Sequence, residues 1–421
     1  MIHRPRGTRD FNEIDMQKRE FVKKIIKECF ESYGYREIMT PTFEHLELFL
    51  IKSGDEIRDS MYTFKDRGGR DLVLRPELTA PVIRFYVNEL QSYPKPLKIS
   101  YFGNCFRYER PQAGRFREFW QYGAECIGFS EIDAEAEVIT MAVDSLMRLS
   151  LKDFELSVGH LGVLRNVLEE NGVGEKHQNR IMGLIDKGDF DALDDYLKDL
   201  SIRKDTVYSI IDLKGDPESV IRKAKEILRD SRSISSVNYL EELVEKLRIF
   251  GLRDFKVDLG IARGLDYYTG MVFEIYHRKL GAQSQICGGG TYELSEMFGG
   301  EKTGTTGFAF GFDRIINALE KENVEIPVSP PVRVFIAPVG DVSKELIIKI
   351  TQNLRKNKIS SSFDLMNRKL SKNLSYADSL GIPYVLIVGE EEVEEEKYTL
   401  RDMRSGKQIK LSLDDLIEYL R

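Results

Sequence analysis

Two aromatic-rich segments constrain the fold of this chain more than any other feature. Residues 97–109 (LKISYFGNCFRYE) and 116–129 (FREFWQYGAECIGF) are dense in aromatic and β-branched side chains, which favour strands. The residues between them, 110–115 (RPQAGR), have the composition of a long hairpin loop. The chain is therefore predicted to contain a long antiparallel hairpin within a sheet.

Hydrophobic periodicity predicts different structures for the flanking regions. Residues 15–33 and 131–149 have helical spacing, whereas 163–250 is helical throughout with few aromatic residues, which indicates an insertion. Residues 324–331 (VEIPVSPP) read as a linker, and 333–421 alternates strand and helix, which predicts a small α/β domain with a largely parallel sheet. The predicted domain boundaries are 1–162, 163–253, 254–326 and 331–421.

Composition excludes several classes of protein. The chain has 421 residues, and 62 Lys and Arg against 69 Asp and Glu give a net charge of −7, so an overall basic nucleic-acid binder is excluded. No apolar run approaches the roughly 18–20 residues of a membrane helix, and the N-terminal MIHRPRGTRDF does not resemble a secretory signal. Scattered cysteines and histidines give no zinc spacing. We therefore expect a cytoplasmic protein with reduced thiols.

Arginines in the hairpin are the first candidates for chemistry. Arg107 lies in an apolar strand, and the loop adds Arg110 and Arg115. Burial of an unpaired guanidinium is costly, and its planar fork suits bidentate contact with phosphate or carboxylate. From these residues alone, a phosphate site and a salt-bridged, solvent-facing hairpin are equally good interpretations.

Carboxylates and glycines form a second group of candidates. Glu77 in LRPELTAP and Glu125 in FWQYGAEC suit a ligand with an ammonium or imidazolium group, or ordinary ion pairs with the arginines. Residues 304–314 (GTTGFAFGFDR) run from a glycine-rich strand into a helix, where glycine allows a ligand to approach the backbone or simply close packing. Neither a Walker loop nor GxGxxG is present.

Taken together, these segments resemble a known family. TPTFE, FRYERPQAGRFREFWQYGAE and GFAFGFDR are similar to motifs one, two and three of class II aminoacyl-tRNA synthetases. RGTRDF, LRPELTAP, ARGLDYYTGMVFE and CGGGTY, in this order, resemble segments of the histidyl-tRNA synthetases. The resemblance extends over essentially the whole chain, and ARGLDYYTG with the motif-two text is its most specific part.

The resemblance implies an α+β fold. It predicts a six-stranded antiparallel sheet flanked by helices, a helical insertion, a C-terminal α/β anticodon-binding domain, and a homodimer formed partly through motif one. It also implies a ligase that joins L-histidine to tRNA(His). ATP and histidine form histidyl-adenylate and pyrophosphate, and the histidyl group then passes to the tRNA 3′ end. Mg²⁺ bridging the ATP phosphates is expected as a cofactor.

The resemblance also assigns roles to individual residues. Guanidinium groups around the α-phosphate would stabilise the charge that develops there. The implied catalytic residues are Arg107, Arg263 and Arg314, with Glu109 and Arg115 as further ATP contacts. The implied histidine-binding residues are Glu77, Thr79, Gln121, Glu125, Tyr267, Tyr268 and Tyr292. Arg110 and Gln112 would approach the tRNA acceptor end.

Some positions depart from the family pattern. The family reads Arg-Tyr-Asp where this chain has Thr291-Tyr292-Glu293, so the roles of Thr291 and Glu293 are open. Asp313 replaces the commoner Glu before the motif-three arginine. Two alternatives stand beside the enzyme: a catalytically inactive relative that regulates histidine biosynthesis and lacks the anticodon domain, and an RNA-binding scaffold. Histidine-dependent exchange of labelled pyrophosphate into ATP would support the enzyme, and its absence in folded protein would favour the scaffold.

Charge in the C-terminal region provides a separate indication. Residues 331–378 contain nine Lys or Arg and four Asp or Glu, a net charge of +5, whereas 379–421 contain six and ten, a net charge of −4. A basic face on a small α/β domain is compatible with binding an RNA loop through its phosphates, and also with an ordinary solvated surface.

Overall fold

The computed structural model describes residues 2–53, 55–108, 116–130, 132–262, 268–281 and 284–421. The chain divides into two compact units, Met1–Ile326 and Pro327–Arg421. The division falls within the predicted linker 324–331. Separate hydrophobic cores support it, because buried residues such as Val22 and Ile139 belong to one cluster and Ile336 and Leu386 to another.

Strands and helices alternate irregularly in the first unit. Its helices are α1 Glu13–Ser32, α2 Glu47–Ser53, α3 Thr79–Phe85, α4 Asp133–Arg148, α5 Leu161–Glu170, α6 Glu175–Lys187, α7 Phe190–Asp199, α8 Lys204–Ile211, α9 Pro217–Ile227, α10 Ser231–Ile249 and α11 Phe312–Lys321. Its strands are β1 Arg36–Ile38, β2 Phe43–His45, β3 Tyr62–Lys65, β4 Asp71–Leu74, β5 Leu97–Phe106, β6 Glu118–Ile127, β7 Phe154–His160, β8 Lys214–Gly215, β9 Lys256–Asp258, β10 Tyr268–His277, β11 Gln285–Tyr292 and β12 Thr305–Gly311.

A nine-stranded sheet organises this unit in the order β1-β5-β6-β12-β11-β10-β7-β9-β8. The six strands from β5 to β7 in this order are antiparallel to one another, as predicted. β1 adds to β5, and β9 to β7, in parallel. The predicted hairpin is β5–β6, whose register pairs Gly103 with Gln121. The strands β2, β3 and β4, which lie between β1 and β5 in the chain, form a separate three-stranded sheet with the order β2-β4-β3.

Local side-chain contacts determine where helix α1 begins and which of its faces is buried. Its N-cap, Asn12, accepts a hydrogen bond from the backbone N–H of Asp15 at 2.9 Å, and Asp15 bonds back, so the helix begins two residues before the predicted start. Val22, Ile26 and Phe30 are buried at helical spacing. This stripe packs α1 into the core with the sheet and α4.

The helices α5 to α10 account for most of residues 163–253. Leu164 and Leu168 of α5 and Leu240 and Leu247 of α10 belong to the same buried cluster as the main sheet. The boundaries 163–253 therefore stay a prediction about domain organisation. None of the described helices combines the length and apolar composition that crossing a membrane requires.

The second unit contains β13 Val334–Pro338, α12 Lys344–Lys356, β14 Ser361–Phe363, α13 Leu370–Ser379, β15 Tyr384–Val388, α14 Glu390–Glu394, β16 Tyr398–Asp402, β17 Gln408–Leu411 and α15 Leu413–Leu420. Its sheet has the order β14-β13-β15-β16-β17. The expectation of a largely parallel sheet was wrong for half of it, because β15–β16 and β16–β17 pair antiparallel. A short connection such as that between β16 and β17 allows only antiparallel pairing.

Candidate active site

A cavity of about 320 Å³ opens on the central strands of the main sheet. Residues far apart in the chain line it, from β6, β10, β11, β12 and the start of α11 among others. Eight residues predicted from the sequence line this one cavity: Glu77, Thr79, Arg107, Gln121, Glu125, Tyr268, Tyr292 and Arg314. The sheet thus gathers in one place the guanidinium, carboxylate and phenol groups of separate sequence motifs.

Six further candidates lie outside the residues that the structure describes: Glu109, Arg110, Gln112, Arg115, Arg263 and Tyr267. Their roles remain predictions from the resemblance. Of the two departures from the family pattern, Thr291 donates a hydrogen bond to Glu135, and Glu293 forms an ion pair with Lys302 at 3.0 Å. Both are thus engaged with neighbouring side chains.

Glycines on the sheet make room for the polar groups of the cavity. The register pairs Gly307 of β12 with Glu125 of β6, and a Cβ at 307 would lie 1.7 Å from Glu125 Oε2. A Cβ at Gly123 would lie 2.4 Å from the ring of Tyr101. Bare backbone at these positions therefore lets a carboxyl and a phenol lie flat across neighbouring strands.

Glu125 lies at the most deeply buried end of the cavity. It is 1 % exposed, and the hydroxyl of Tyr101 donates to its Oε1 at 2.8 Å. Burial raises the pKa of the Glu125 carboxyl to about 8, and hydrogen bonds from Tyr101 and Tyr292 limit that rise. A ligand that brings a positive charge or an N–H donor would favour the ionised form.

Glu77 connects this end of the cavity with the first arginine. Its carboxylate accepts from the backbone N–H of Thr79, and from that of Ala80 at 2.9 Å, at the start of α3. Burial raises the pKa of Glu77, and these N–H groups together with the charge of Arg107 oppose the rise. The Nε of Arg107 donates to the carbonyl of Pro76 at 2.9 Å, which fixes the guanidinium beside Glu77.

Arg314, the second described arginine of the cavity, lies in the first turn of α11. Its Nη1 donates to the carbonyl of Gln285, and the Gln285 amide donates to Glu274 at 2.6 Å. Glu274 is a buried carboxylate on β10 and lines the same cavity. The guanidinium of Arg314 is thus held over β11 by polar contacts rather than left to solvent.

Asp313, next to Arg314, is held by groups from three segments. Its Oδ1 accepts a hydrogen bond from Arg19 at 2.7 Å and forms an ion pair with Arg9 at 2.8 Å, and its Oδ2 accepts from the backbone N–H of Trp120 at 2.8 Å. The guanidinium of Arg9 also stacks on Phe116, 3.6 Å from the ring centroid. The N-terminal RGTRDF segment thereby connects motif three to the base of the motif-two hairpin.

Sequence reasoning missed several residues that line or support the cavity. Tyr101 and Phe119 lie on the hairpin strands, and Gln285 and Glu274 on β10–β11. A carboxylate within the apolar run MVFEIY was a usable signal for Glu274, because buried carboxylates need partners. Asp186 of α6 also lines the cavity, and nothing in its local sequence indicated this.

The described part of the chain contains no group of three or more His, Cys, Asp or Glu side chains suited to a metal ion. The four cysteines are all buried and free. Glu274 and Asp186 are the carboxylates that line the cavity besides Glu77 and Glu125.

The antiparallel sheet, with motif-two and motif-three segments facing one polar cavity, is the architecture of the class II aminoacyl-tRNA synthetases. A family model described as histidyl-tRNA synthetase matches residues 7–315, and one described as an anticodon binding domain matches residues 333–421. The chain belongs to the histidyl-tRNA synthetase family.

Individual relatives agree with this family over the whole length. Proteins named histidine–tRNA ligase from Methanocaldococcus jannaschii and Archaeoglobus fulgidus are 50% and 45% identical to the chain. The first match covers 100% of this chain and 99% of the relative, and the second covers 100% of both.

Solved structures show the same similarity. The S. aureus histidyl-tRNA synthetase without ligand has a TM-score of 0.72 at 28% identity, with 100% of both chains covered. The histidyl-tRNA synthetase of Nostoc sp. PCC 7120 has a TM-score of 0.81 at 25% identity, with 100% of this chain and 99% of that chain covered. The predicted fold class is therefore confirmed. The anticodon-binding match also distinguishes the chain from the regulatory relative, which was expected to lack that domain.

Proposed function

We propose that the protein ligates L-histidine to tRNA(His) in two steps. A carboxylate oxygen of histidine attacks the α-phosphorus of ATP, the bond to the bridging oxygen of the β-phosphate breaks, and pyrophosphate leaves. A terminal hydroxyl of the tRNA then attacks the histidyl carbonyl, and AMP leaves. The observation that carries the proposal is the gathering of Arg107, Arg314, Glu77 and Glu125 in one cavity of a chain of this family.

The arginines act at the nucleotide end of the cavity. Negative charge grows at the α-phosphate during attack, and guanidinium groups held in advance stabilise it without reorganisation. Arg107 and Arg314 are each anchored to a backbone carbonyl, of Pro76 and Gln285. The family resemblance alone adds Arg263 as the third arginine at the α-phosphate, and Glu109 and Arg115 as further contacts to ATP.

The carboxyl and phenol groups act at the histidine end. Five residues surround the backbone and ring of the substrate histidine: Glu77, Thr79, Gln121, Tyr268 and Tyr292. The family resemblance adds Tyr267 to this set. Glu125 accepts a hydrogen bond from the substrate, since its burial makes an N–H donor or a cation favourable there. An amino acid without such a donor leaves this group unpaired, which gives selectivity against apolar side chains.

Mg²⁺ enters with ATP as part of the substrate. The ion keeps several waters and needs only one or two carboxylates besides phosphate oxygens, so a three-carboxylate cluster is not required. The carboxylates that line the cavity outside the histidine end, Glu274 and Asp186, suit this limited demand. The ion neutralises phosphate charge, while the protein groups bind and orient the nucleotide.

The second unit binds the tRNA anticodon. A cavity of about 550 Å³ lies at the carboxyl ends of β13 and β14, and Lys344, Arg368 and Lys369 line it. The cations suit RNA phosphates, and the neighbouring Leu365 and Met366 are 78% and 70% exposed, so they offer apolar surface to bases. Arg110 and Gln112 approach the acceptor end of the same tRNA.

Two chains form a homodimer, and the enzyme works in the cytoplasm, where its tRNA is charged. Support for the dimer comes from exposed apolar side chains in and next to motif one. Met39 is 85% exposed and Phe43 53%, and the ring of Phe43 meets that of Phe64 at 6.3 Å. Exposed apolar side chains that lie together, as Phe43 and Phe64 do, mark a protein interface.

The decisive experiment is ATP–pyrophosphate exchange with each of the twenty amino acids, followed by charging of tRNA transcripts. We expect exchange with histidine alone and aminoacylation of tRNA(His) alone. Exchange with another amino acid would replace the substrate, and absence of exchange in folded protein would favour the RNA-binding scaffold.

A further inference from the structure

A buried carboxyl outside the cavity joins three elements of the first unit. Glu135, in the first turn of α4, is 1 % exposed. Its Oε2 accepts from the hydroxyl of Tyr239 on α10 at 2.9 Å, and its Oε1 accepts from the hydroxyl of Thr291 on β11. Burial raises the pKa of Glu135 to about 7, and the two hydroxyl donors oppose this rise.

One arm of this network reaches the histidine end of the cavity. Successive side chains of a strand point to opposite faces, so Thr291 faces Glu135 while Tyr292 lines the cavity. Tyr292 pairs with Tyr268 across β10–β11, and their rings meet edge to face at 5.9 Å. Tyr292 also lowers the pKa of Glu125, which lines the same cavity. A shift of Thr291 along or out of the sheet therefore displaces Tyr292.

The other arm reaches the helical segment 163–253. Tyr239 lies in the middle of α10, whose buried residues Leu240 and Leu243 pack it against α4 and α5. The ring of His160, at the end of β7, meets the ring of Tyr239 at 5.4 Å. Tyr239 is thus packed by the helices and the sheet, and its hydroxyl is directed to one carboxyl.

A second contact joins the same two helices without reaching β11. Lys246 of α10 forms an ion pair with Asp133 of α4 at 2.9 Å, with side chains 32% and 51% exposed. An ion pair as exposed as this one contributes little to how α10 is held, so its loss should leave the placement of α10, Glu135 and Thr291 intact. It is therefore a matched control for the Tyr239 contact.

We propose that Glu135 is a positioning residue that couples the placement of α10 to the histidine pocket through Thr291 and Tyr292. The proposal rests on the proposed function, because histidine is the ligand whose binding it affects. It also gives a role to Thr291, which departs from the family's arginine: a hydroxyl at this position bonds to the carboxyl that Tyr239 also holds.

The first test compares Tyr239→Phe with Lys246→Met in histidine-dependent pyrophosphate exchange. Tyr239→Phe removes one hydroxyl and leaves the packing, so the fold should persist. We expect its KM for histidine to rise about three- to tenfold, with a smaller change in kcat, because a hydrogen bond to a charged group is lost. Lys246→Met should leave this KM within about twofold. Equal effects of the two variants would overturn the coupling.

A rescue experiment separates the network from mere packing. Glu135→Ala leaves two hydroxyls without their acceptor, whereas Glu135→Gln keeps an oxygen for Thr291 and an amide that donates to Tyr239. We expect Glu135→Gln to recover most of the histidine affinity that Glu135→Ala loses. Equal losses in both variants, with equal thermal stability, would contradict the positioning role.

Hydrogen exchange provides a readout that does not depend on activity. Coupling free energies are reciprocal, so histidine should slow exchange of the α10 amides around Tyr239 in the unmodified protein and not in Tyr239→Phe. Protection by histidine in both proteins, or in neither, would refute the coupling. Failure of the proposed function is recognised separately, because the unmodified protein would then show no histidine-dependent pyrophosphate exchange.

Discussion

The carboxylate of Asp313 accepts a hydrogen bond from Arg19 at 2.7 Å, although 294 residues separate the two in the chain. Both side chains are 8% exposed, so this is a buried ion pair, and Arg9 joins it at 2.8 Å. Removal of one partner of such a group leaves charge poorly compensated. Since Arg314 follows Asp313 directly, the N-terminal segment supports the arginine that faces the candidate nucleotide site.

Arg9→Met tests this support. The guanidinium of Arg9 holds Asp313 and stacks on Phe116, so its loss should let the start of α11 shift. We expect kcat/KM for ATP in pyrophosphate exchange to fall about tenfold or more, because the buried carboxylate of Asp313 loses one of its charged partners.

Arg4→Met is the matched control for that experiment. Arg4 pairs with Asp10 at 3.2 Å, but both side chains are mostly exposed, at 57% and 83%. Exposed ion pairs contribute about 0–1 kcal/mol, so ATP kinetics should be unchanged. Similar losses in both variants would point to general damage to the N-terminal segment.

The Glu125 carboxyl predicts that histidine affinity depends on pH. Its pKa is raised to about 8 in the free protein, so it is mostly protonated at pH 7. A substrate donor favours the ionised form and lowers this pKa, so binding should release a proton and affinity should rise up to about pH 8. Calorimetry in two buffers of different ionisation enthalpy measures the released proton.

Glu125→Gln supplies the control. It cannot titrate, so proton release assigned to Glu125 should vanish and histidine should bind more weakly. The imidazole of free histidine also titrates, near pH 6.5, and its contribution is common to both proteins. An unchanged affinity and unchanged proton release in the variant would remove Glu125 from the histidine site.

Gly307→Ala tests whether the bare strand is needed. The new Cβ would lie 1.7 Å from Glu125 Oε2 and 2.5 Å from the carbonyl oxygen of Ala124, so the Glu125 carboxyl must move. We expect histidine affinity to fall by about tenfold or more, because hydrogen bonds within the site are lost. Titration of histidine in the exchange assay measures this change.

Gly183→Ala is the comparison for that substitution. Gly183 lies within α6, and a Cβ there would meet no heavy atom of the described residues within 4 Å. Alanine in a helix interior is more stable than glycine by about 0.5–1 kcal/mol, so the melting temperature should rise slightly with histidine affinity unchanged. If Gly307→Ala behaved in the same way, the steric role of Gly307 would be refuted.

Removal of residues 331–421 tests whether the two units act separately. The second unit buries its own core, which includes Ile336, Leu354 and Leu386. We expect the remaining chain to retain histidine-dependent pyrophosphate exchange and to lose most charging of tRNA(His). Equal loss of both activities, in a truncated chain that still shows cooperative melting, would argue against separable roles.

Elements whose signal is local were predicted well. The β5–β6 hairpin follows from two aromatic-rich segments, and α1 follows from its apolar spacing. The sheet of the second unit was predicted less well, because strand direction depends on how β16 and β17 connect rather than on the character of either strand. The position of Asp186 in the cavity was missed for a related reason: it depends on how α6 packs in the fold and not on the residues around Asp186 in the sequence.

The sequence by itself determined the family, the order of elements and the chemical groups of the site, since motifs and periodicity are properties of short segments. Only the tertiary structure decided which distant groups meet. It pairs Gly307 with Glu125 across β12–β6, brings Arg9 to Asp313, and joins Tyr239 to Thr291 through Glu135. Such contacts depend on strand register and helix packing, which are set by the whole core and not by any segment alone.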